Sequence, residues 1–280
     1  MSVRIIIDST ADVASELRSR FTILPLTLRF GDEEYRDGET ITSEQFYEKL
    51  VECDVMPCTS QATPHAFAQL FREAVEVGDE VVAITLSSRL SGTWQSAMIA
   101  AEDFPGKVHV VDSLNVALGS GILAEYALQL KECGMSAAEI VQKLEEARGR
   151  VHLIAMVNTL EYLKRGGRIS KTAAIAGELL SIKPVIAIQD GEIAILGKAR
   201  GSRHANNLLV KEIEKAGGVD FDMPVMLGYT GLSDSMLQKY IRDSASLWAD
   251  HSSELRTTIV GSVIGVHAGP GAVAVAFFSK

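Results

Sequence analysis

The chain has 280 residues, of which 47% are hydrophobic and 22% are charged, a composition that fits a folded protein with a large core and excludes a disordered one. Its formal net charge of −9 argues against a surface for duplex nucleic acid or for anionic membranes. The three cysteines, Cys53, Cys58 and Cys133, include no CxxC pair, so a disulfide scaffold or a zinc ribbon is poorly supported.

The start of the chain and its apolar segments predict a cytoplasmic protein. Residues 1–10 enter a strand-like run directly and lack the apolar core and small-residue cleavage site of a signal peptide. No uncharged apolar stretch reaches the length needed to span a bilayer. We therefore expect no stable membrane insertion.

The first half alternates short apolar runs with longer helical patterns. Strands are predicted at residues 3–8, 23–30, 80–86 and 108–112. Helices are predicted at residues 12–20, 42–53, 64–77, 90–102, 119–133 and 136–149. Runs such as IIID and VHVVD are apolar at consecutive positions, which is typical of strands covered on both faces. The alternation of strands and helices favours a doubly wound, mostly parallel sheet.

The second half adds a signal for antiparallel pairing. Asp190-Gly191 lies between two apolar runs at residues 182–188 and 192–197 and predicts a hairpin. Further strands are predicted at residues 151–157, 225–229, 256–260 and 272–278, and helices at residues 160–165, 170–180, 203–216 and 233–248. We predict an α/β protein of two domains, residues 1–153 and residues 154–280, the second with a mixed sheet. The last strand could return to either sheet.

Hydroxyl side chains cluster where the predicted strands end. Ser9 follows the first strand, Thr59-Ser60 precedes a helix, and Ser91-Gly92-Thr93 follows another strand. Ligands of open α/β sheets bind beyond the carboxyl ends of the strands, and hydroxyls at a helix start can receive the oxygens of an anion. The same residue types also cap helices routinely, so capping remains an alternative for each segment.

Most enzyme signatures are absent from the sequence. There is no GxSxG elbow and no Walker GxxxxGK[ST] motif. A GxGxxA match at residues 119–124 is displaced from its strand and lacks the acidic partner of a dinucleotide site. No pair of histidines has metal-ligand spacing. We expect no catalytic residue, no metal and no cofactor; a serine hydrolase using Ser91 or Ser9 with His267 stays an alternative.

Two further features could bind an anion. His267 lies among glycines in residues 265–271, which we predict to be a loop between the two terminal strands. Arg168 and Arg200 each lie in a basic cluster next to glycine. Guanidinium groups suit carboxylate and phosphate, although basic residues also complement the ends of helices.

Six of these segments occur in the order of a known family. They are Ile6-Ile7-Asp8-Ser9-Thr10-Ala11-Asp12, Thr59-Ser60-Gln61, Leu90-Ser91-Gly92-Thr93-Trp94-Gln95-Ser96-Ala97, Leu163-Lys164-Arg165-Gly166-Gly167-Arg168-Ile169-Ser170, Lys183-Pro184 and Gly265-Val266-His267-Ala268-Gly269-Pro270-Gly271. In this set the sequence resembles the DegV family of fatty-acid-binding proteins over essentially its whole length. Two departures are Ala62, where the family often has Pro, and Trp94, where Tyr is usual.

The resemblance implies a specific ligand and site. It implies a lipid tunnel between the two domains and one long-chain fatty acid, whose carboxylate is held at Thr59 and Ser91 with His267 nearby. Arg168 and Arg200 become candidates for closing the polar end, and Ser60, Gly92 and Thr93 complete the predicted ligand-binding residues. It also implies a partner, because related proteins serve as the acyl-carrying subunit of bacterial fatty acid kinase. A lipid-sensing regulatory protein is the remaining alternative.

Overall fold

The structure, a computed structural model, describes residues 2–169, 182–248, 251–252 and 254–280. The helix predicted at residues 170–180 lies outside these residues. Within them the strands are β1 (Val3–Asp8), β2 (Thr22–Leu24), β3 (Thr27–Phe30), β4 (Glu33–Arg36), β5 (Cys58–Ser60), β6 (Glu80–Thr85), β7 (Val108–Asp112), β8 (Val151–Met156), β9 (Ile182–Gln189), β10 (Glu192–Arg200), β11 (Met226–Tyr229), β12 (Arg256–Ile259) and β13 (Val273–Phe278).

Capping side chains mark the starts of some of the helices. Over the same residues they are α1 (Ser43–Glu52), α2 (Pro64–Glu76), α3 (Thr93–Ala101), α4 (Leu118–Glu132), α5 (Ala137–Ala147), α6 (Glu161–Arg165), α7 (Gly201–Lys215), α8 (Ser235–Asp243), α9 (Ala245–Trp248) and α10 (Ser262–Ala268). Thr42 and Gln45 form a reciprocal capping box at α1, and Thr63 caps α2 immediately before Pro64. Such caps satisfy N–H groups that have no partner inside the helix.

The first sheet confirms the predicted doubly wound arrangement. Its strands lie in the order β2-β1-β6-β7 and are all parallel. Ile5 and Ile7 of β1 pack into one core with α4 and α5, whereas Ile6 packs into a second core on the opposite face. Because alternate side chains point to opposite faces, a strand with helices on both sides must be apolar throughout.

The second sheet is mixed, as predicted, and includes the last strand. Its order is β10-β9-β8-β13-β11-β12, with antiparallel pairing throughout except between β11 and β12. Asp190 and Gly191 turn the predicted hairpin between β9 and β10, with φ of 49° and 82°. β13 lies in the middle, between β8 and β11. The domain boundary near residue 153 stays a prediction.

Three local predictions were wrong. The strand predicted at residues 23–30 is interrupted near Pro25 and divides between two sheets, because β3 joins a small sheet of order β4-β3-β5. The helix predicted at residues 12–20 is only a 3-10 helix at Ser15–Arg20, which has no side-chain cap. The helix predicted at residues 233–248 is broken at Ser244, whose hydroxyl donates to the Tyr240 carbonyl.

Candidate functional site

A largely apolar cavity lies between the carboxyl ends of the first sheet's strands and one face of the second sheet. It encloses about 900 Å³ of empty space, a volume that includes space open to solvent. On the second sheet it is lined by an aliphatic wall, which consists of Leu153, Ala155, Ile186, Ile188, Ala272 and Ala274. Leu26, Leu86, Leu90 and Val116 line it from the loops that follow the first sheet's strands.

The aliphatic wall follows from the period of the strands. Leu153 and Ala155 alternate along β8, and Ile186 and Ile188 alternate along β9, so their side chains emerge on the same face of the second sheet. No phenylalanine, tyrosine or tryptophan is among the described residues that line the cavity. Flexible apolar chains therefore find only aliphatic contacts along this surface.

Four polar side chains meet at the cavity, each from a different segment, and we call them the polar set. Thr59 belongs to β5, Ser91 precedes α3, Arg168 follows α6, and His267 lies in α10. The Thr59 Oγ1 and His267 Nε2 atoms are 3.0 Å apart. The Ser91 hydroxyl lies 3.0 Å from the Thr93 hydroxyl. The structure thus brings together four of the residues that the sequence predicted to bind an anion.

His267 lies in a helix, α10, whose last residues overlap the loop predicted at residues 265–271. The prediction of a loop at His267 was therefore wrong. α10 ends at Ala268, and Gly269 stops it with a φ of 68°, a conformation that favours glycine. Gly265 lies inside the helix against Phe46 and Tyr47, where a Cβ would lie 2.5 Å from the Phe46 ring. The glycines that suggested a loop therefore serve close packing and helix termination.

His267 is neutral and holds a defined tautomer. Burial, with a further contribution from the positive charge of Arg168, lowers its pKa from 6.5 to about 4. The Nδ1 atom is buried without a hydrogen-bond partner among the described residues, and it faces Gly166, where a Cβ would lie 2.1 Å away. A buried N–H without a partner is costly, so the proton belongs on Nε2. Nε2 then donates to Thr59, and the Thr59 hydroxyl is free to donate into the cavity.

Arg168 supplies the positive charge of the polar set. Its side chain is half-buried and donates to the carbonyl oxygens of Leu90, at 3.3 Å, and Gly166, at 2.5 Å. These two bonds hold the guanidinium at the rim of the cavity. An anion in the cavity would therefore meet a cation that is already oriented.

The remaining predicted residues have different surroundings. Ser60 lines the cavity and is exposed. Thr93 is buried and accepts a hydrogen bond from the Ala62 N–H at 3.4 Å. Gly92 packs against Gln61, and a Cβ there would lie 2.1 Å from the Gln61 side chain. Arg200 is exposed at the end of β10 and is absent from the described residues that line the cavity, so the structure does not bring it to the polar set.

Sequence reasoning missed two polar lining residues, Gln61 and Thr230. Gln61 lies beside the predicted Thr59 and Ser60, and Thr230 directly follows the end of β11. The Thr230 hydroxyl accepts from the Ala272 N–H at 2.8 Å. Thr230 follows a strand, as Ser9 does, but Gly231 and Leu232 come directly after it in place of a second hydroxyl residue.

The hydrogen bonds that a serine hydrolase would need at His267 are not formed among the described residues. His267 Nε2 contacts Thr59, and no carboxylate orients Nδ1 among the described residues. Ser9 is buried and donates instead to Asp37 Oδ2 at 2.9 Å. A triad needs a nucleophile bonded to the imidazole and an acid bonded to its other nitrogen. This geometry therefore gives no support to a serine nucleophile activated by His267.

Metal-ligand clusters and membrane-spanning helices are both missing from the described part of the chain. There, no cluster of three or more His, Cys, Asp or Glu side chains could bind a metal ion. None of the helices in that part is both long and apolar enough to cross a membrane.

Known proteins are similar to this chain in sequence and in fold over nearly their whole length. Residues 2–280 match the family described as uncharacterised protein, DegV family. A DegV domain-containing protein of Caldanaerobacter subterraneus is 35% identical, covering 99% of each chain. A fatty-acid-binding DegV family protein of Thermus thermophilus has a TM-score of 0.89 at 33% identity, covering 100% of both chains. A stearic acid-binding protein of Eubacterium ventriosum has a TM-score of 0.85 at 28% identity, covering 100% of this chain and 99% of that one. The chain belongs to the DegV family.

Proposed function

We propose that the protein binds one long-chain fatty acid, with the acyl tail against the aliphatic wall and the carboxylate at the polar set. The observation that carries this proposal is a single cavity that combines a purely aliphatic wall with Thr59, Ser91, Arg168 and His267. The fatty acids bound by the Thermus and Eubacterium relatives support the same ligand class. The protein has a binding role in this proposal and performs no chemistry alone.

The energetics favour such an amphipathic ligand. Each buried CH₂ group of the tail contributes about 0.8 kcal/mol. A buried carboxylate is costly unless it is hydrogen-bonded and its charge is compensated. Thr59 and Ser91 offer hydroxyl donors, and Arg168 offers the compensating charge; hydrogen bonds to charged groups contribute roughly 1.5–3 kcal/mol each.

A mass measurement tests the ligand directly. Denaturing mass spectrometry of the purified protein is expected to release a stoichiometric fatty acid. Protein stripped of lipid is expected to bind hexadecanoic acid at one site in a calorimetric titration. If the stripped, folded protein bound no fatty acid, the proposal would be wrong.

The polar end of the cavity suits presentation of the carboxylate to another protein. Ser60 and Gln61 are exposed there, and a second, more polar cavity shares Leu90 and Arg168 with the first and adds Arg89. We therefore propose a cytoplasmic role as the acyl-carrying subunit of a fatty acid kinase. A separate ATP-binding subunit would transfer the γ-phosphoryl group of ATP to a carboxylate oxygen, which yields acyl phosphate and ADP.

Reconstitution tests the kinase role. A pull-down is expected to recover an ATP-binding kinase subunit, and the mixture is expected to form acyl phosphate only when the lipid-loaded protein is added. A captured partner without phosphotransfer would favour the lipid-sensing alternative. Variants Thr59→Val and Ser91→Ala are expected to reduce phosphotransfer while they remain folded.

A further inference from the structure

The helix that carries His267 is held at its start by two buried carboxylates outside the polar set. Asp12 Oδ1 accepts a hydrogen bond from the Gly261 N–H at 2.8 Å, and Asp37 Oδ1 accepts one from the Ser262 N–H at 3.1 Å. The two carboxyl residues are 8% and 4% exposed. They satisfy N–H groups at the start of α10 that have no partner inside the helix.

The Asp37 carboxyl group is itself fixed by a buried neighbour, and Tyr47 holds the residue just before α10. The Ser9 hydroxyl donates to Asp37 Oδ2 at 2.9 Å and accepts from the Leu26 N–H at 3.0 Å. The Tyr47 hydroxyl donates to the Val260 carbonyl at 3.1 Å, just before α10 begins. The start of α10 is therefore tied to the loop after β1, the turn after β4 and the helix α1.

The position of His267 depends on this attachment because α10 is short. It has seven residues, which is too few to form a stable helix alone, and it spans about 10 Å at 1.5 Å per residue. His267 is its second-last residue, and Val263 and Ile264 from the same helix line the cavity. A change at the first residues of α10 would therefore move His267 relative to Thr59.

The protonation of the carboxyl groups fits this role. The pKa of Asp12 is raised to about 8, chiefly by burial; the Gly261 hydrogen bond acts to lower this pKa and the nearby Asp37 acts to raise it. Burial also raises the pKa of Asp37. A neutral carboxyl group keeps an oxygen that accepts from an N–H. Asparagine at position 12 would retain this acceptor, whereas alanine would remove it.

We propose that Asp12 and Asp37 are positioning residues of the fatty-acid site, which set the place of His267 by anchoring the first residues of α10. Neither is among the described residues that line the cavity, so both act without contact with the ligand. This inference rests on the proposed function. By this inference, carboxylate recognition also depends on two residues that a list of cavity contacts would not identify.

The test compares the binding of hexadecanoic acid with that of its methyl ester. The ratio of the two dissociation constants reports the carboxylate contacts and cancels the contribution of the tail. Asp12→Ala and Asp37→Ala are each expected to lower the preference for the acid by about tenfold, the size of one lost hydrogen bond to a charged group. Asp12→Asn is expected to restore the wild-type ratio.

Glu125→Ala is the matched control. Glu125 is 2% exposed, accepts from the Ala14 N–H at 2.9 Å and pairs with Arg256 at 2.5 Å, and neither bond involves α10. Its loss is expected to lower stability without changing the preference for the acid. The imidazole signals of His267 in NMR spectra of the ligand-free protein are expected to shift in Asp12→Ala and to stay in place in Glu125→Ala.

The outcomes separate the two proposals. If the wild-type protein did not prefer the acid over the ester, the proposed function would be wrong. The His267 signals alone would then test the positioning role. The inference is wrong if Asp12→Ala keeps the wild-type ratio and leaves the His267 signals in place. It is also wrong if Glu125→Ala lowers the ratio as much as Asp12→Ala does. If Asp12→Ala does not fold, Asp12→Glu replaces it, because the longer side chain displaces α10 while keeping the carboxyl group.

Discussion

The aliphatic wall and the polar set differ in how the chain builds them. The wall arises from alternate residues on neighbouring strands of one sheet, whereas each member of the polar set comes from a separate segment. A repeated strand pattern tolerates substitutions that conserve volume. A set of polar groups functions only when its supporting segments hold them in place. On the proposed function, the wall supplies affinity and the polar set supplies orientation, and each can be tested separately.

Filling the wall is expected to have the largest effect on binding. Ala155→Phe would place a ring in the cavity and exclude about four CH₂ groups of the tail, a loss of roughly 3 kcal/mol or about 200-fold in Kd for octadecanoic acid. Calorimetric titration measures this change. Ala194→Phe is the control, because Ala194 follows the cavity-lining Ile193 in β10 and its side chain therefore lies on the opposite face of the strand. Equal losses in both variants would contradict the assignment of the wall.

Acid is expected to destabilise the protein through the polar set. The pKa of His267 is lowered from 6.5 to about 4, so the unfolded state binds more protons between these values and stability falls as pH falls. The expected loss for this group is about 2.5 kcal/mol between pH 7 and pH 4.5. Urea unfolding of the lipid-free protein and of His267→Gln measures it. Parallel pH profiles for the two proteins would contradict the prediction.

Replacing Arg168, the cation of the polar set, is expected to weaken the binding of the acid but not the binding of its methyl ester. Arg168→Met is expected to raise the Kd for hexadecanoic acid by about 10- to 100-fold, since a hydrogen bond to a charged group is worth roughly 1.5–3 kcal/mol. The Kd for the methyl ester is expected to stay within a few fold. Arg200→Met is the matched control because Arg200 is exposed outside the cavity lining. A similar loss in the control would assign the effect to surface charge.

Removing one hydroxyl is expected to have the smallest effect. Thr59→Val keeps the shape of the side chain but loses the partner of His267 Nε2 and one donor to the ligand. We expect an increase of about tenfold in the Kd for the acid, again without a change for the ester. Thr257→Val, at an exposed position outside the cavity lining, serves as the matched control. An equal effect of both substitutions would show that the hydrogen bond to His267 is unimportant.

The sequence predicted the strands and helices that have a strong local signal. Apolar runs such as β1 and β6, the Asp190-Gly191 hairpin and the capped helices α1 and α2 all formed close to the expected positions. It could not predict β4 and β5, because β4 is largely charged and exposed and β5 has only three residues. Strands of this kind exist through pairing with β3, which is a tertiary property.

The sequence predicted which residues belong to the polar set better than it predicted how they are arranged. Thr59, Ser91, Arg168 and His267 were assigned to one site by the resemblance of their segments to the DegV family, whereas the residue types alone left helix capping and an exposed loop as alternatives. Arg200 had a similar sequence setting and yet is exposed at the end of β10. The distinction depends on which loops meet across the cavity. The helical state of α10 was hidden because its internal glycine is stabilised by contacts with Phe46 and Tyr47, more than 200 residues away in the chain.

The central position of β13 has a consequence for synthesis on the ribosome. β8 and β11 are made earlier but cannot be joined until residues 273–278 emerge between them. Since domains form as units when their non-local strand pairs become available, Ala272 and Ala274 complete the cavity only after β13 has left the ribosome. A nascent chain that lacks β13 has no enclosed cavity for lipid. Loading is therefore expected only after this strand has been made.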